Sequence, residues 1–124
     1  SAYLYSLSDL TSPFEFIGDD ILAGDYFGYS VGIDGIYIAV GAQTQTVSSL
    51  ENVGSAYVFE IDTSLHQATQ IKKITSDSPL ANELFGSSVA VDGDFISVGA
   101  IEYDEDDNTT GVGSVYLFDG EPAP

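Results

Sequence analysis

Three short blocks recur along the chain in one fixed order, and this repetition narrows the fold more than any other feature. Phe27-Gly28-Tyr29-Ser30-Val31 returns as Phe85-Gly86-Ser87-Ser88-Val89. Ile38-Ala39-Val40-Gly41-Ala42 returns at the same offset as Ile96-Ser97-Val98-Gly99-Ala100. A third block occurs three times, as Ser1-Ala2-Tyr3-Leu4-Tyr5, Ser55-Ala56-Tyr57-Val58-Phe59 and Ser114-Val115-Tyr116-Leu117-Phe118. Both later copies follow a glycine, Gly54 and Gly113. A unit that repeats residue for residue is one whose copies pack the same faces against their neighbours, as in stacked repeat architectures.

Each unit reads as four short strands. In the first, residues 29–33 alternate, Asp34-Gly35 marks a tight turn, and residues 36–40 form the return strand, ended by Gly41. A polar connection, 43–53, leads to a third strand at 55–61 and a fourth at 67–75. The fourth alternates less cleanly, as suits an outer strand with one face to bury. Its Lys72 and Lys73 discourage edge-to-edge pairing. The second unit repeats the plan: 85–91, an Asp92-Gly93-Asp94 turn, 95–98, a long loop over 101–113, a strand at 114–118 and a breaker-rich tail at 120–124. Residues 1–7 and 14–17 supply the last two strands of a preceding unit. Helical periodicity is weak, and 79–84 predicts one helical turn at most.

The expected class is therefore all-β. The architecture is that of β-propeller blades, each a four-stranded antiparallel sheet, with two full-length repeats plus a partial blade in an incomplete propeller. The divisions fall at 1–26 (end of a preceding blade), 27–84 (a complete blade) and 85–124 (a following, incomplete blade with its tail). A plain sandwich also gives regularly spaced short strands, but its hairpins need not carry the same residues. Within this scheme Phe27 and Phe85 plug between adjacent blades. Gly28 and Gly86 let backbones approach closely, and Gly41 and Gly99 lie where inner strands crowd.

On these residues the chain resembles the FG-GAP repeat family, the blades of integrin-α-type propellers. Phe27-Gly28 and Phe85-Gly86 match its FG. Val40-Gly41-Ala42 and Val98-Gly99-Ala100 match its GAP block, with Gln43 and Ile101 in place of the proline, and 54–59 matches the strand that follows. The resemblance implies an extracellular or cell-surface protein engaged in recognition. Many members carry a calcium loop between the first and second strands. Here that connection is only Asp34-Gly35 or Asp92-Gly93-Asp94, too few oxygens for an ion that takes about six to eight, so the inherited site is expected to be missing.

Charge sets limits on partners. Twenty acidic residues against two lysines give a net charge of -18, which argues against nucleic acid and anionic membrane surfaces. It suits cations or basic partners, or simply solubility in salt water. A hydrophobic content of 44% argues against disorder. There is no Cys, so disulfides and thiolate metal sites are excluded. No apolar run approaches the length that spans a membrane. The lack of Met and the strand-like opening predict a chain that is processed or cut from something longer.

The densest acidic cluster, 102–108, offers Asp104, Asp106 and Asp107 as candidate ligands for Ca²⁺ or as a solvated loop. Asn108-Thr109-Thr110 is a glycosylation sequon in the same loop. His66 is the single histidine and lacks a nucleophile-elbow context, so it reads as a surface residue. Asp19-Asp20 are adjacent carboxylates of the kind that rarely do acid–base work. These observations predict a non-enzymatic scaffold for adhesion, ligand binding or polymeric surface assembly. The alternative is a carbohydrate-binding or carbohydrate-active propeller. A closed ring typically needs four to eight blades. The expected partners are therefore other blades of a longer chain or further copies of this one, together with a protein or glycan ligand.

Overall fold

The computed structural model describes residues 1–62, 64, 67–102 and 113–119, which form three antiparallel sheets. The first pairs β1 (Ala2–Ser6) with β2 (Asp9–Phe16). The second has the order β3 (Phe27–Asp34), β4 (Tyr37–Ala42), β5 (Ser55–Asp62), β6 (Gln67–Ile74). In the third, β7 (Phe85–Asp92), β8 (Phe95–Ala100) and β9 (Ser114–Asp119) follow the same sequential order. This is an all-β chain of meandering sheets, as expected of propeller blades. The second unit shows three strands among the described residues.

Local chemistry explains the hairpins. Asp34 pairs with Tyr37 and Asp92 with Phe95, which leaves two-residue loops. Each loop opens with a glycine at positive φ, Gly35 (58°) and Gly93 (57°), as tight hairpin turns require. β3 and β7 also share a register shift, between Phe27 and Ser30 and between Phe85 and Ser88. Gly28 and Gly86 sit inside it, both at φ 95°, the left-handed conformation that a glycine supplies at a bulge.

The core lies between the sheets, in two layers. Ile38, Val40, Tyr57, Phe59 and Ile61 on one face of the middle sheet pack with Phe27 against Ala2 and Phe16 of the first sheet. The opposite face, Ala39, Ala56 and Val58, packs against Phe85, Ile96, Val98 and Ala100 of the third. Period-two alternation along β4 and β5 thus sends bulky residues one way and small ones the other. The second interface thus joins a small-residue face to a large-residue one, while at the first the bulky face meets Phe16, whose ring lies 4.8 Å from that of Phe59.

Three expectations need correction. β2 begins at Asp9, not residue 14, because its outer-edge position tolerates Pro13, whose missing N–H has no ladder partner to fail. β3 begins at Phe27, two residues earlier than read, because the bulge carries the pairing past Gly28. No helical turn forms over 79–84. Ala81 and Asn82 form a turn, and positive φ at Asn82 and Leu84 is incompatible with a right-handed helix.

Candidate functional site

The site is the junction where one unit's Phe-Gly enters the sheet before it. The chain leading into each Phe-Gly is itself repeated: Leu22-Ala23-Gly24-Asp25-Tyr26 corresponds to Leu80-Ala81-Asn82-Glu83-Leu84. Their backbones agree closely, with φ of 91° and 63° at Gly24 and Asn82, then 57° and 55° at Tyr26 and Leu84. In each copy a buried carboxylate closes the loop on itself. Asp25 Oδ2 accepts from the Leu22 N–H at 2.9 Å, and Glu83 Oε2 from the Leu80 N–H at 3.1 Å. The carbonyls of Asp25 and Glu83 accept from the N–H groups of Thr44 and Glu102, after β4 and β8.

Each carboxylate is also tied to the tyrosine on the third strand of the unit that its loop leads into. Tyr116 donates to Glu83 Oε1 at 2.8 Å. In the first unit the link is relayed. Tyr57 donates to Asp20 Oδ1 at 2.6 Å, and Gln45 Nε2 donates to the Tyr57 hydroxyl at 2.7 Å and reaches Asp25 Oδ2 at 3.4 Å. Ser55 donates to the Gln45 side-chain oxygen, Oε1, while Lys73 pairs with Asp20 and lies 5.6 Å from the centre of the Tyr57 ring. Burial, then the hydrogen bond to Asp20, pushes the Tyr57 hydroxyl far above its ordinary value. For Asp20, burial acts upward, but the bonds from Lys73, Tyr57 and Gln45 hold it below the usual carboxylate value. At Tyr116 the Ser76 bond acts downward, yet Glu83 and burial keep the hydroxyl raised.

The phenylalanines sit on these tyrosines. Phe27 meets Tyr57 and Phe59 edge-on at 5.5 and 6.0 Å, and Phe85 meets Tyr116 and Phe118 at 5.1 and 6.2 Å, the tilted geometry that ring quadrupoles favour. Ahead of Phe85, the N–H groups of Asn82, Leu84 and Phe85 donate to the carbonyls of Glu51, Asn52 and Val53. Gly54 bridges Phe85 in parallel, and the Ser30 hydroxyl donates to the Gly86 carbonyl at 2.8 Å. Backbones here are so close that a methyl on Gly41 would overlap the Gly86 carbonyl and one on Gly54 the Phe85 carbonyl. Gly28 repeats this approach toward the first sheet, where a methyl would lie 2.8 Å from the Ser1 oxygen. Among the described residues Gly99 faces only the Ser88 hydroxyl at such range. A further tie joins the hairpin tips, where the Gly93 N–H donates to Asp34 Oδ2 at 2.6 Å.

Phe27, Gly28, Gly41, Phe85 and Gly86 are thus brought to the two inter-sheet junctions, and Gly99 occupies the corresponding place on the third sheet. Asp19 and Asp20 tie the loop before β3 to β6, through Gln70 and Lys73. Asp104, Asp106, Asp107, Asn108 and His66 lie outside the described residues. Among the described residues no three His, Cys, Asp or Glu side chains gather as metal ligands. Sequence reading missed Asp25 and Glu83. Their signal was the repeated Leu-Ala two residues after which the acid falls, hidden because Asp exchanges with Glu, Gly with Asn and Tyr with Leu. Gln43, where the repeated motif would carry proline, is buried, and its Oε1 lacks a hydrogen-bond partner among the described residues.

The arrangement is one of docking: carboxylates bound to N–H groups and phenols, rings on rings, and backbone seated in glycine-lined crevices. No curated protein matches the chain at a significant level. The family model described as FG-GAP repeat matches residues 15–59 and again 68–118, which together include both Phe-Gly junctions and cover more than half of the sequence. The chain belongs to the FG-GAP repeat family.

Proposed function

We propose that this chain is a non-enzymatic, extracellular or cell-surface β-propeller scaffold that works through its sheet faces, in adhesion, ligand binding or assembly. One observation carries the reading. The middle sheet is covered on both sides, with Ala39, Val40, Ala56 and Tyr57 at 0% exposure, whereas the corresponding positions of the outer sheets are open. Tyr3 and Tyr5, counterparts of Tyr57 and Phe59, are 56% and 51% exposed, and Val115 and Leu117, counterparts of Ala56 and Val58, are 79% and 70% exposed. Apolar faces of this kind mark association surfaces. Their natural partners are further blades of the same kind, in a longer chain or in other copies. No helix among the described residues is long and apolar enough to cross a membrane.

Light scattering across a concentration series tests this. Mass should rise with concentration, and no glycan should be turned over; a strict monomer that hydrolyses glycans would sink the proposal. A lectin-like reading has one observation in its favour. Tyr26 and Tyr29 stand 61% and 59% exposed beside the first junction, as rings that stack on sugars would. A glycan array separates the two, since saturable binding lost on Tyr29→Ala would favour the lectin.

A further inference from the structure

We propose that Asp92-Gly93 is a site of spontaneous backbone rearrangement, from aspartate to isoaspartate, and that Asp34 of the adjacent hairpin holds the site closed. Asp34-Gly35 and Asp92-Gly93 form equivalent hairpin tips. All four residues are exposed, and beside Gly35 and Gly93 nothing lies within 4 Å of where a Cβ would stand. A glycine next in the chain leaves its amide nitrogen unshielded and its backbone free to turn, so this dipeptide rearranges more readily than others. The chemistry needs only water. The Gly93 nitrogen attacks Cγ of the protonated Asp92 carboxyl; a C–N bond forms, the C–OH bond breaks, and the amide proton departs with that hydroxyl as water. Water then adds to the five-membered imide. Breaking the new C–N bond restores aspartate, whereas breaking the original bond, between the Asp92 main-chain carbonyl and Gly93, routes the backbone through Cβ and Cγ. The extra backbone atom does not fit a two-residue loop whose ends, Asp92 and Phe95, are paired.

The neighbouring hairpin supplies the guard. The Gly93 N–H, the reaction's nucleophile, donates to Asp34 Oδ2 at 2.6 Å, a short bond to a charged acceptor and therefore one of the stronger kind. β3 and β7 run side by side up to these tips, close enough that a methyl on Gly32 would lie 3.3 Å from Ala90 Cα. For the imide to close, the peptide unit joining Asp92 to Gly93 must swing about the Asp92 Cα–C bond, because in an extended strand the next nitrogen points away from the side chain. The bond to Asp34 opposes that swing and engages the proton that the reaction must remove. It also draws the Asp34 carboxylate away from its own Gly35. One contact thus takes the nucleophile from one Asp-Gly pair and the electrophile from the other. Rearrangement at Asp92 then requires the two tips to part, a local opening of exposed residues that leaves the sheets intact.

The test incubates the chain in warm neutral buffer made with heavy-oxygen water and maps isoaspartate by peptide mass, which resolves Asp92 from Asp34 and from the third such pair, Asp119-Gly120. Asp92 should rearrange about tenfold or more slowly in the folded chain than in urea, the loss expected from one bond to a charged group. Asp34→Ser removes the acceptor without creating an Asn-Gly pair, and should return Asp92 most of the way to its urea rate. Asp92→Glu, whose imide would be six-membered, should clear the signal from that peptide. Phe27→Ala loosens the fold but keeps Asp34, so Asp92 should stay slow in it. Amide exchange in the unaltered chain gives a reading that no variant can spoil: Gly93 should exchange about tenfold or more slowly than Gly35. A folded chain that rearranges at Asp92 as fast as in urea overturns the proposal, as does a folded Asp34→Ser variant in which Asp92 stays slow. Equal acceleration by Phe27→Ala gives the effect to general unfolding and also overturns it, and so does equal exchange at the two glycines.

Discussion

Phe85 and Phe27 hold equivalent places, yet their surroundings differ in completeness. Phe85 is fully enclosed between two sheets, while Phe27 is 8% exposed beside a first sheet of only two strands. Phe85→Ala should therefore cost about 3–5 kcal/mol, and Phe27→Ala measurably less. Urea denaturation of the two variants reads the difference, and equal losses would contradict the enclosure. Tyr57 makes a second residue-scale case. Tyr57→Phe keeps the ring contacts but strips hydrogen bonds from Asp20 and Gln45, which should cost about 1–3 kcal/mol. Because burial raises the Tyr57 hydroxyl, the folded chain keeps a proton that the unfolded chain releases near pH 10. Stability should hold below that pH and fall as pH climbs beyond it. In the Tyr57→Phe variant the alkaline decline should be shallower. Asp20 has the opposite sign: its lowered value stabilises the fold at neutral pH, and that contribution is lost as acid protonates it. It stays modest because the carboxylate is half-exposed.

Among the elements, legibility followed the kind of signal. The strands of both units, their order and the hairpin turns were readable because alternation, Asp-Gly pairs and repeated glycines act locally. The identity of Phe27 and Phe85 as junction rings was readable for a different reason, namely that the second copy singles out positions that matter to packing. What escaped was conditional on tertiary context. β2 was read only from residue 14, whereas it starts at Asp9 and carries Pro13 in the register shift between Phe14 and Asp9, on an edge strand where a missing N–H does no harm. Asp25 and Glu83 drew no notice, although each is buried at the end of a bond pattern that spans a loop and a neighbouring strand. Residues 79–84 looked weakly helical, and the positive φ values that forbid it at Asn82 and Leu84 recur at Gly24 and Tyr26, in the other loop closed by its own acid. The same context separates two glycines that the sequence treats alike. Gly41→Ala drives a methyl into the Gly86 carbonyl, whereas Gly99→Ala meets a hydroxyl, Ser88 Oγ, at the end of a side chain that can rotate. Thermal unfolding should therefore drop steeply for Gly41→Ala and several-fold less for Gly99→Ala. Equal drops would mean that crowding within each sheet, not contact between sheets, maintains the repeated glycine.

At the scale of the whole molecule, stacking works against charge. Each further sheet buries apolar surface, but the chain carries -18 with only two lysines, so compaction gathers like charges and the folded state repels itself. Lys73 is engaged with Asp20, which leaves little cationic charge to soften the field. The repulsion acts over a screening length of about 30 Å at 0.01 M salt and about 8 Å at 0.15 M. Raising sodium chloride between those limits should thus lift the melting temperature by about 3–6 °C, the equivalent of roughly 1 kcal/mol for a domain of this size. Concentrations this low keep general salting effects on apolar surface small, so the rise reports screening. Calorimetry at both salt levels checks it, with calcium chloride at matched ionic strength as a second arm. A melting temperature indifferent to sodium would show that the acidic residues are spaced widely enough to ignore one another. An additional rise with calcium alone would show that some of them converge on a cation. The same screening should strengthen association between acidic copies, so a dimerisation that weakens with salt could not arise from the apolar faces that bury Ala56 and Val58 in the middle sheet.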